Sequence, residues 1–442
     1  MPPVAARLLL PAAGLLVVGT VVAGTAIRQT VGGLGTASPP FVMVFEPDAA
    51  LPWALLAVLF AAGAAWAAPR LAQPEPAQPR LAGPSLAPAA WLGALTLLAL
   101  LPGLALGAAR NGPLGWREIF LLTDAGSFEA KNEYLAGLPA LSYGSRLFLD
   151  RFAELVPSLP VNVAGHPPGL MLLIHALGIT SAGGLAVLCI GAAVATPALS
   201  YALARTLGLP VPRARMAGAL AALSPMLLLL GVTSADAVFM ALGAGAAILL
   251  VAQRPAWRAG GCAALALASF FSWALLAIGA WAVVVVLVRE GPRRALVLAA
   301  GCGVAVLALD GGLALATGYD PVGALRATEA YYRNSVASQR PYSFWLFGAP
   351  VAFAVMLGLP TAAGALLAAQ RRVPAGMALA AVIGIASVAG FTKAETERIW
   401  LPFVPLACVA AADVLGPAHL RLAAPLLAAQ ALVVVLLFQT IW

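Results

Sequence analysis

Apolar runs of roughly 17 to 25 residues recur from one end of the chain to the other, each long enough to cross the hydrocarbon core of a bilayer. Nothing else in the sequence restricts the fold as strongly. Of the 442 residues, 62% are hydrophobic and only 10% charged, against about 25% charged in soluble domains. The expected fold class is an all-α polytopic membrane protein. The net charge of +8 sits in short basic clusters between apolar runs, so it points to cytoplasmic loops and anionic lipid and excludes nucleic acid as a partner. Arginine outnumbers lysine 23 to 2 in an alanine-, glycine- and proline-rich chain, the bias of a GC-rich bacterial genome, and a multi-pass plasma-membrane location follows. The four cysteines, Cys189, Cys262, Cys302 and Cys408, each lie inside an apolar run without metal-ligand spacing and read as core residues. The first run, Leu8 to Ala26, reads as an uncleaved helix and not a signal peptide.

Thirteen spans are expected, near 8–27, 51–69, 88–109, 168–180, 183–205, 213–231, 234–252, 258–289, 294–317, 343–370, 374–391, 400–416 and 422–441. The Pro-, Ala- and Gln-rich stretch 71–88 reads as a cytoplasmic linker. Three regions follow: residues 1–87 with two spans and the linker, 88–317 as a core with a large loop at 110–167, and 318–442 with a loop at 318–342 and the last spans. With the N-terminus inside, loops 28–50, 110–167, 318–342 and 392–399 fall outside, while Arg70, Arg80, Arg289, Arg293, Arg294, Arg371, Arg372 and Arg421 fall inside. One region breaks the pattern. The same alternation puts Arg205, Arg213, Arg215, Arg254 and Arg258 outside. Moving them in requires 168–180 not to cross, or 258–289 to be two pieces. Half-length pieces rise only about 23 Å, short of a core of roughly 30 Å, so both are kept as single spans.

Two of the external loops are more than connectors. Loop 110–167 carries Asp124, Glu129, Glu133, Asp150, Glu154, Lys131, Arg146 and Arg151, and its stretches Trp116–Tyr134 and Tyr143–Leu155 have the periodicity of amphipathic interfacial helices. Loop 318–342 offers Asp320, Arg326, Glu329, Arg333, Arg340 and the pair Tyr331 and Tyr332; the segment "FTKAETERIWLPF" adds Lys393, Glu395, Glu397 and Arg398. All three fall on one face. Guanidinium forks bind phosphate, carboxylates bind hydroxyls or take protons, and aromatic faces pack on sugars or lipid. His166 stands directly before Pro167 and Pro168, which favour the first turn of a helix and force an extended residue ahead of them, so its ring is held at the boundary between loop and apolar helix. A bond to a backbone carbonyl is its simplest alternative use.

An acidic loop residue in "TDAGSFEAKNEY", an amphipathic stretch, "HPPG" opening the next span, Asp236 in "TSADAVFMAL" and the late "KAETERIWLPFVPL" occur in this order. Over residues 88–416 that order resembles the GT-C superfamily of membrane glycosyltransferases that use lipid phosphosugars, in particular the protein O-mannosyltransferases and the aminoarabinose transferases of lipid A. The resemblance implies a GT-C-like fold and inverting transfer of a sugar from a polyprenyl-phosphate donor to a glycan, glycolipid or protein acceptor on the outer face. It implies Asp124 as general base, with Glu129 or Glu133 as alternatives because Ala125 replaces the family's second acid. His166, Arg333, Arg340, Lys393 and Arg398 would hold the donor phosphate, and Tyr331, Tyr332, Glu397 and Asp236 would line the substrate site. No cofactor is required; a divalent cation on Asp124, Glu129 and His166 is the alternative, and the acidic groups are sparse for a hard-cation site. The competing function is a transporter or lipid flippase, for which Asp236 and Asp310 are the acidic residues in mid-chain helices.

Overall fold

The computed structural model describes residues 3–31, 34–73, 88–123, 126–390 and 392–440. The expected linker residues 74–87 and the expected base Asp124 lie outside the described residues. Among those described, seven helices are long and apolar enough to cross a membrane, and an eighth span forms if one bent pair is counted together. The chain is a multi-pass α-helical membrane protein, as its apolar runs require. A small antiparallel pair, Met43–Phe45 with Phe438–Thr440, joins the two ends of the chain and was not foreseen.

Several expected spans are broken. Helices α1 (Pro3–Val31), α2 (Leu51–Ala72) and α3 (Pro88–Asn111) match their runs. The expected span at 168–180 is only α4 (Gly169–Ala176), about 12 Å long and too short to cross. After α5 (Ala182–Thr206), the run at 213–231 divides. Helix α6 (Val211–Ala222) ends where Ser224 Oγ donates to the Leu357 carbonyl at 2.9 Å, and a π turn, Leu227–Gly231, leads to α7 (Asp236–Leu250). The run 258–289 is two helices, α8 (Pro255–Ser269) and α9 (Leu276–Glu290). Their turn is pinned to α4 by Gly169 N–H donating to the Phe270 carbonyl at 2.9 Å. Then come α10 (Pro292–Thr317), α11 (Pro321–Asn334), α12 (Tyr342–Leu357) and α13 (Leu359–Gln370), the last two bent by 118° at Gly358. Helices α14 (Pro374–Ala389), α15 (Val404–Val414) and α16 (Leu420–Leu437) complete the order.

These breaks correct the charge pattern. Because α4 does not cross and 258–289 turns back on itself, the basic residues that had seemed misplaced share one end with the rest. There Arg213 donates to the Asp413 carbonyl at 2.6 Å, Arg215 to the Gln73 carbonyl at 3.3 Å, and Arg258 and Arg294 both pair with Glu290. The opposite end gathers the long loops.

Those loops are also more structured than their composition suggests. Residues 110–167 form a chain of short turns, among them 115–118, 128–132, 145–150 and 161–164, and not two continuous amphipathic helices. Gly144 (φ 94°) delays the second stretch, and Arg151 (φ −101°, ψ 7°) divides it between 145–150 and 152–155. Residues 318–342 are mostly helix: Asp320 caps α11 through Gly323 N–H at 2.8 Å and Pro321 starts it.

Single cysteines test the corrected arrangement, since all four native thiols are buried. Gln253→Cys and Arg293→Cys should be labelled by an impermeant maleimide from the same face of the membrane, and Ser158→Cys from the other. Labelling of position 253 together with 158 would restore the unbroken 258–289 span.

Candidate functional site

At the loop end, charged side chains from five parts of the chain meet out of water. Arg398 lies in the turn Thr396–Ile399, just before α15, and is 5% exposed. Its guanidinium contacts Asp236 Oδ2 at 3.3 Å, Glu395 Oε2 at 3.5 Å and Asn162 Oδ1 at 3.3 Å. Asp236 sits here because α6 ends at Ala222 and, after the π turn Leu227–Gly231, α7 starts beneath the loops. Ser234 Oγ donates to its carboxylate at 2.7 Å, and its position in the first turn of α7 adds the positive end of a helix dipole. Arg340, 6% exposed, donates to Glu395 Oε1 at 2.8 Å and to the Lys393 carbonyl at 2.6 Å. Two carboxylates therefore balance two guanidiniums, the condition for burying charge at all.

Asn162 extends the cluster. Its Nδ2 donates to Glu133 Oε1 at 2.7 Å, while its carbonyl accepts from His166 Nδ1 at 2.7 Å. Glu133 is 1% exposed, and its Oε2 has no hydrogen-bond partner among the described residues. Burial pushes its carboxyl up to about 8, against the pull of nearby Arg398. The bond to Asn162 places the proton of a neutral His166 ring on Nδ1 and leaves Nε2 as an acceptor. Burial lowers this histidine below its ordinary value, favouring that neutral form, and the ring packs beside Phe239 with centroids 4.9 Å apart.

The N-terminal region covers the cluster. Val42 N–H donates to Glu397 Oε1, whose carboxyl is raised by burial to about 7, and Gly35 (φ 72°) brings its backbone so close to Arg340 that a Cβ there would lie 2.8 Å from Nε. At the same end of the molecule, an apolar cavity of about 410 Å³ opens between α2, α3 and α5, lined by Trp53, Phe60, Leu104, Ala108, Trp116 and Ile190 and by none of the cluster residues. Trp116 belongs to the turn Gly115–Glu118, and the carbonyl of Glu118 accepts the N–H groups of both Leu121 and Ser127.

Most of the residues singled out in the sequence come together here. Glu133, His166, Asp236, Arg340, Glu397 and Arg398 surround one cluster, with Lys393 at its rim through its backbone carbonyl. Tyr332 Oη accepts the Lys393 N–H at 3.0 Å, and Tyr331 packs on the core from the same helix. Glu129 stands off, accepting from Asn132 at 2.8 Å, and Arg333 is exposed and paired with Glu329 at 2.5 Å. No group of three acidic, histidine or cysteine side chains forms a metal site among the described residues. Sequence reasoning missed Asn162 and the bridging role of Glu395. Asn162 is four residues before His166, a spacing that puts both on one side of a helical turn, but a lone asparagine carries no chemical signature.

No family model matches the chain, and neither does any curated protein or solved structure.

Two outcomes follow from the burial. Arg398→Met leaves Asp236 uncompensated and should destabilise the protein by about 3–5 kcal/mol in detergent thermal unfolding; a change under about 1 kcal/mol would contradict a buried pair. Glu133, at about 8 in the fold against 4.5 unfolded, favours the native state fully below its unfolded value and loses that contribution as pH rises to 8. Thermal stability should therefore decline between about pH 5 and 8, and less steeply in Glu133→Gln, where Glu397 still contributes up to about pH 7. An equal slope in wild type and variant would remove Glu133 as its source.

Proposed function

We propose that the protein is a membrane glycosyltransferase that moves a sugar from a polyprenyl-phosphate donor to an acceptor hydroxyl. The observation that carries this reading is the buried cluster itself: two guanidiniums and a carboxyl with one oxygen unpaired among the described residues, under the loops, with an apolar cavity at the same end of the molecule. Arg340 and Arg398 suit the phosphate, and the cavity lined by Trp53 and Trp116 suits the prenyl chain. The positive-inside rule places the basic end in the cytoplasm and the cluster on the outer side. On this reading the shorter apolar helices α7, α14 and α15 also traverse the bilayer, and α6 and α8 must do so too for the basic clusters to share one side, which with the bent pair and the seven long spans gives thirteen passages.

In the reaction the acceptor oxygen forms a bond to the anomeric carbon as the bond from that carbon to the phosphate oxygen breaks. The bonding electrons pass to the phosphate, where the guanidiniums disperse the charge, so the leaving group needs no acid. The acceptor proton goes to a carboxylate. Burial raises the Glu133 carboxyl to about 8, so its ionised form is a strong base for this proton, and its Oε2 is unpaired among the described residues. Asp124 is the other candidate for this role. His166 presents an acceptor nitrogen when neutral, which suits a substrate hydroxyl better than the phosphate its position first suggested.

Transport fits less well. Asp310 lies half-buried on α10, a helix of whose apolar span only 11% is buried, so that helix stands at the edge of the bundle.

Purified protein should transfer sugar from a synthetic polyprenyl phosphosugar. Glu133→Gln should lower kcat by about 10²–10⁴ with little change in donor affinity, as expected when only proton transfer is lost. Full turnover in Glu133→Gln combined with loss in Asp124→Asn would move the base to Asp124. Full turnover in both would sink the mechanism.

A further inference from the structure

The two guanidiniums of the cluster already hold an anion between them, and it is part of the chain. Glu395 Oε1 accepts from Arg340 at 2.8 Å while Oε2 meets Arg398 at 3.5 Å, so one carboxylate bridges both cations. We propose that Glu395 is a built-in stand-in for the substrate phosphate, and that donor binding displaces its carboxylate from between Arg340 and Arg398. This rests on the glycosyltransferase reading for the nature of the donor, but only on the geometry for the exchange.

Three features single out Glu395 as the group that leaves. First, its backbone is strained. Ala394 (φ 65°) and Glu395 (φ 60°) are successive non-glycine residues in the left-handed region, a conformation that persists only where surrounding contacts hold it. Those contacts are visible: Arg340 grips the Lys393 carbonyl as well as the Glu395 carboxylate, and Tyr332 Oη takes the Lys393 N–H. Second, the side chain of Glu395 is 24% exposed, against 6% for each guanidinium, so it is the accessible member of the set. Third, the other anion is fixed. Asp236 is 5% exposed, bonded by Ser234 and anchored in the first turn of α7.

The charge balance fits the exchange. Asp236 and Glu395 together neutralise Arg340 and Arg398. A polyprenyl phosphosugar is a phosphodiester with a single negative charge, the same as the carboxylate it would replace. The buried guanidiniums never lose their counter-charge, which matters because an uncompensated buried charge is costly. Released, Glu395 can relax out of the left-handed region, so the strain in 394–395 favours the loaded site.

Two substitutions move the exchange in opposite directions. Glu395→Gln removes the competing charge and should tighten binding of an anion about tenfold. Ala394→Gly keeps the carboxylate but makes the left-handed turn easier, stabilising the occupied resting state, and should weaken binding several-fold. A carboxylate that only lowered the local potential would respond to the first change and not the second. The probe is polyprenyl methyl phosphate, a diester with one charge and no sugar to transfer, titrated into each detergent-purified variant by calorimetry. Thermal unfolding of the same samples verifies that they are folded. If Glu395→Gln does not fold, Glu395→Asp serves in its place, because the shorter side chain cannot bridge both guanidiniums and should also bind more tightly. Unchanged affinity in Ala394→Gly, or no gain from either change at 395, overturns the proposal. Opposed shifts in a protein that transfers no sugar would leave the exchange standing and dismiss the glycosyltransferase reading.

Discussion

A single arginine with its counter-ions organises the loop end of this protein. Arg398 is out of water and must be neutralised and hydrogen-bonded: Asp236 from the start of α7 and Glu395 from its own turn supply the charge, and Asn162 from the large loop supplies an amide oxygen. Asn162 in turn fixes Glu133 and His166, while Glu395 recruits Arg340. The electrostatics thus set the relative positions of elements that the apolar packing of helices in lipid would leave free to slide. Interactions of this kind are expensive inside a membrane protein and persist where they serve a function.

The helix breaks serve the same end. The π turn at Leu227–Gly231 and the short α4 give up regular spanning structure where the cluster is built. Backbone irregularity at this depth is tolerated where protein covers it, and here Ser224 and Gly169 satisfy their polar groups through Leu357 and Phe270. The cover over the site comes from the segment Leu34–Met43, which makes the N-terminal hairpin part of the functional architecture and not an appendage.

Composition and hydropathy made the membrane class legible, and most of the site residues were recognisable as charges in otherwise apolar surroundings. Span boundaries were harder to read. An apolar run of 32 residues such as 258–289 has the same periodicity whether it is one tilted helix or two antiparallel ones, and only the arginines at 254 and 258 betrayed the turn. The misplaced charges held the better information, and the length argument against half-spans was the wrong guide, since packing inside a large bundle supports short helices. Residues 318–342 looked like a loop because they are polar, although Asp320 and Pro321 carry the start signal of a helix. Asn162 and Glu395 were invisible as a pair because their roles come from tertiary bonds that no local spacing encodes.

The central claim is that the buried cluster receives a lipid phosphosugar. Its most direct test is a cryo-EM structure with a phosphonate analogue of a polyprenyl phosphosugar, which binds but cannot transfer. The expected density places the phosphorus between Arg340 and Arg398, the sugar toward Glu133, and the chain in the cavity between α2, α3 and α5. A phosphonate bound at the exposed Arg333, or at the basic end of the molecule with the cluster unchanged, would contradict it.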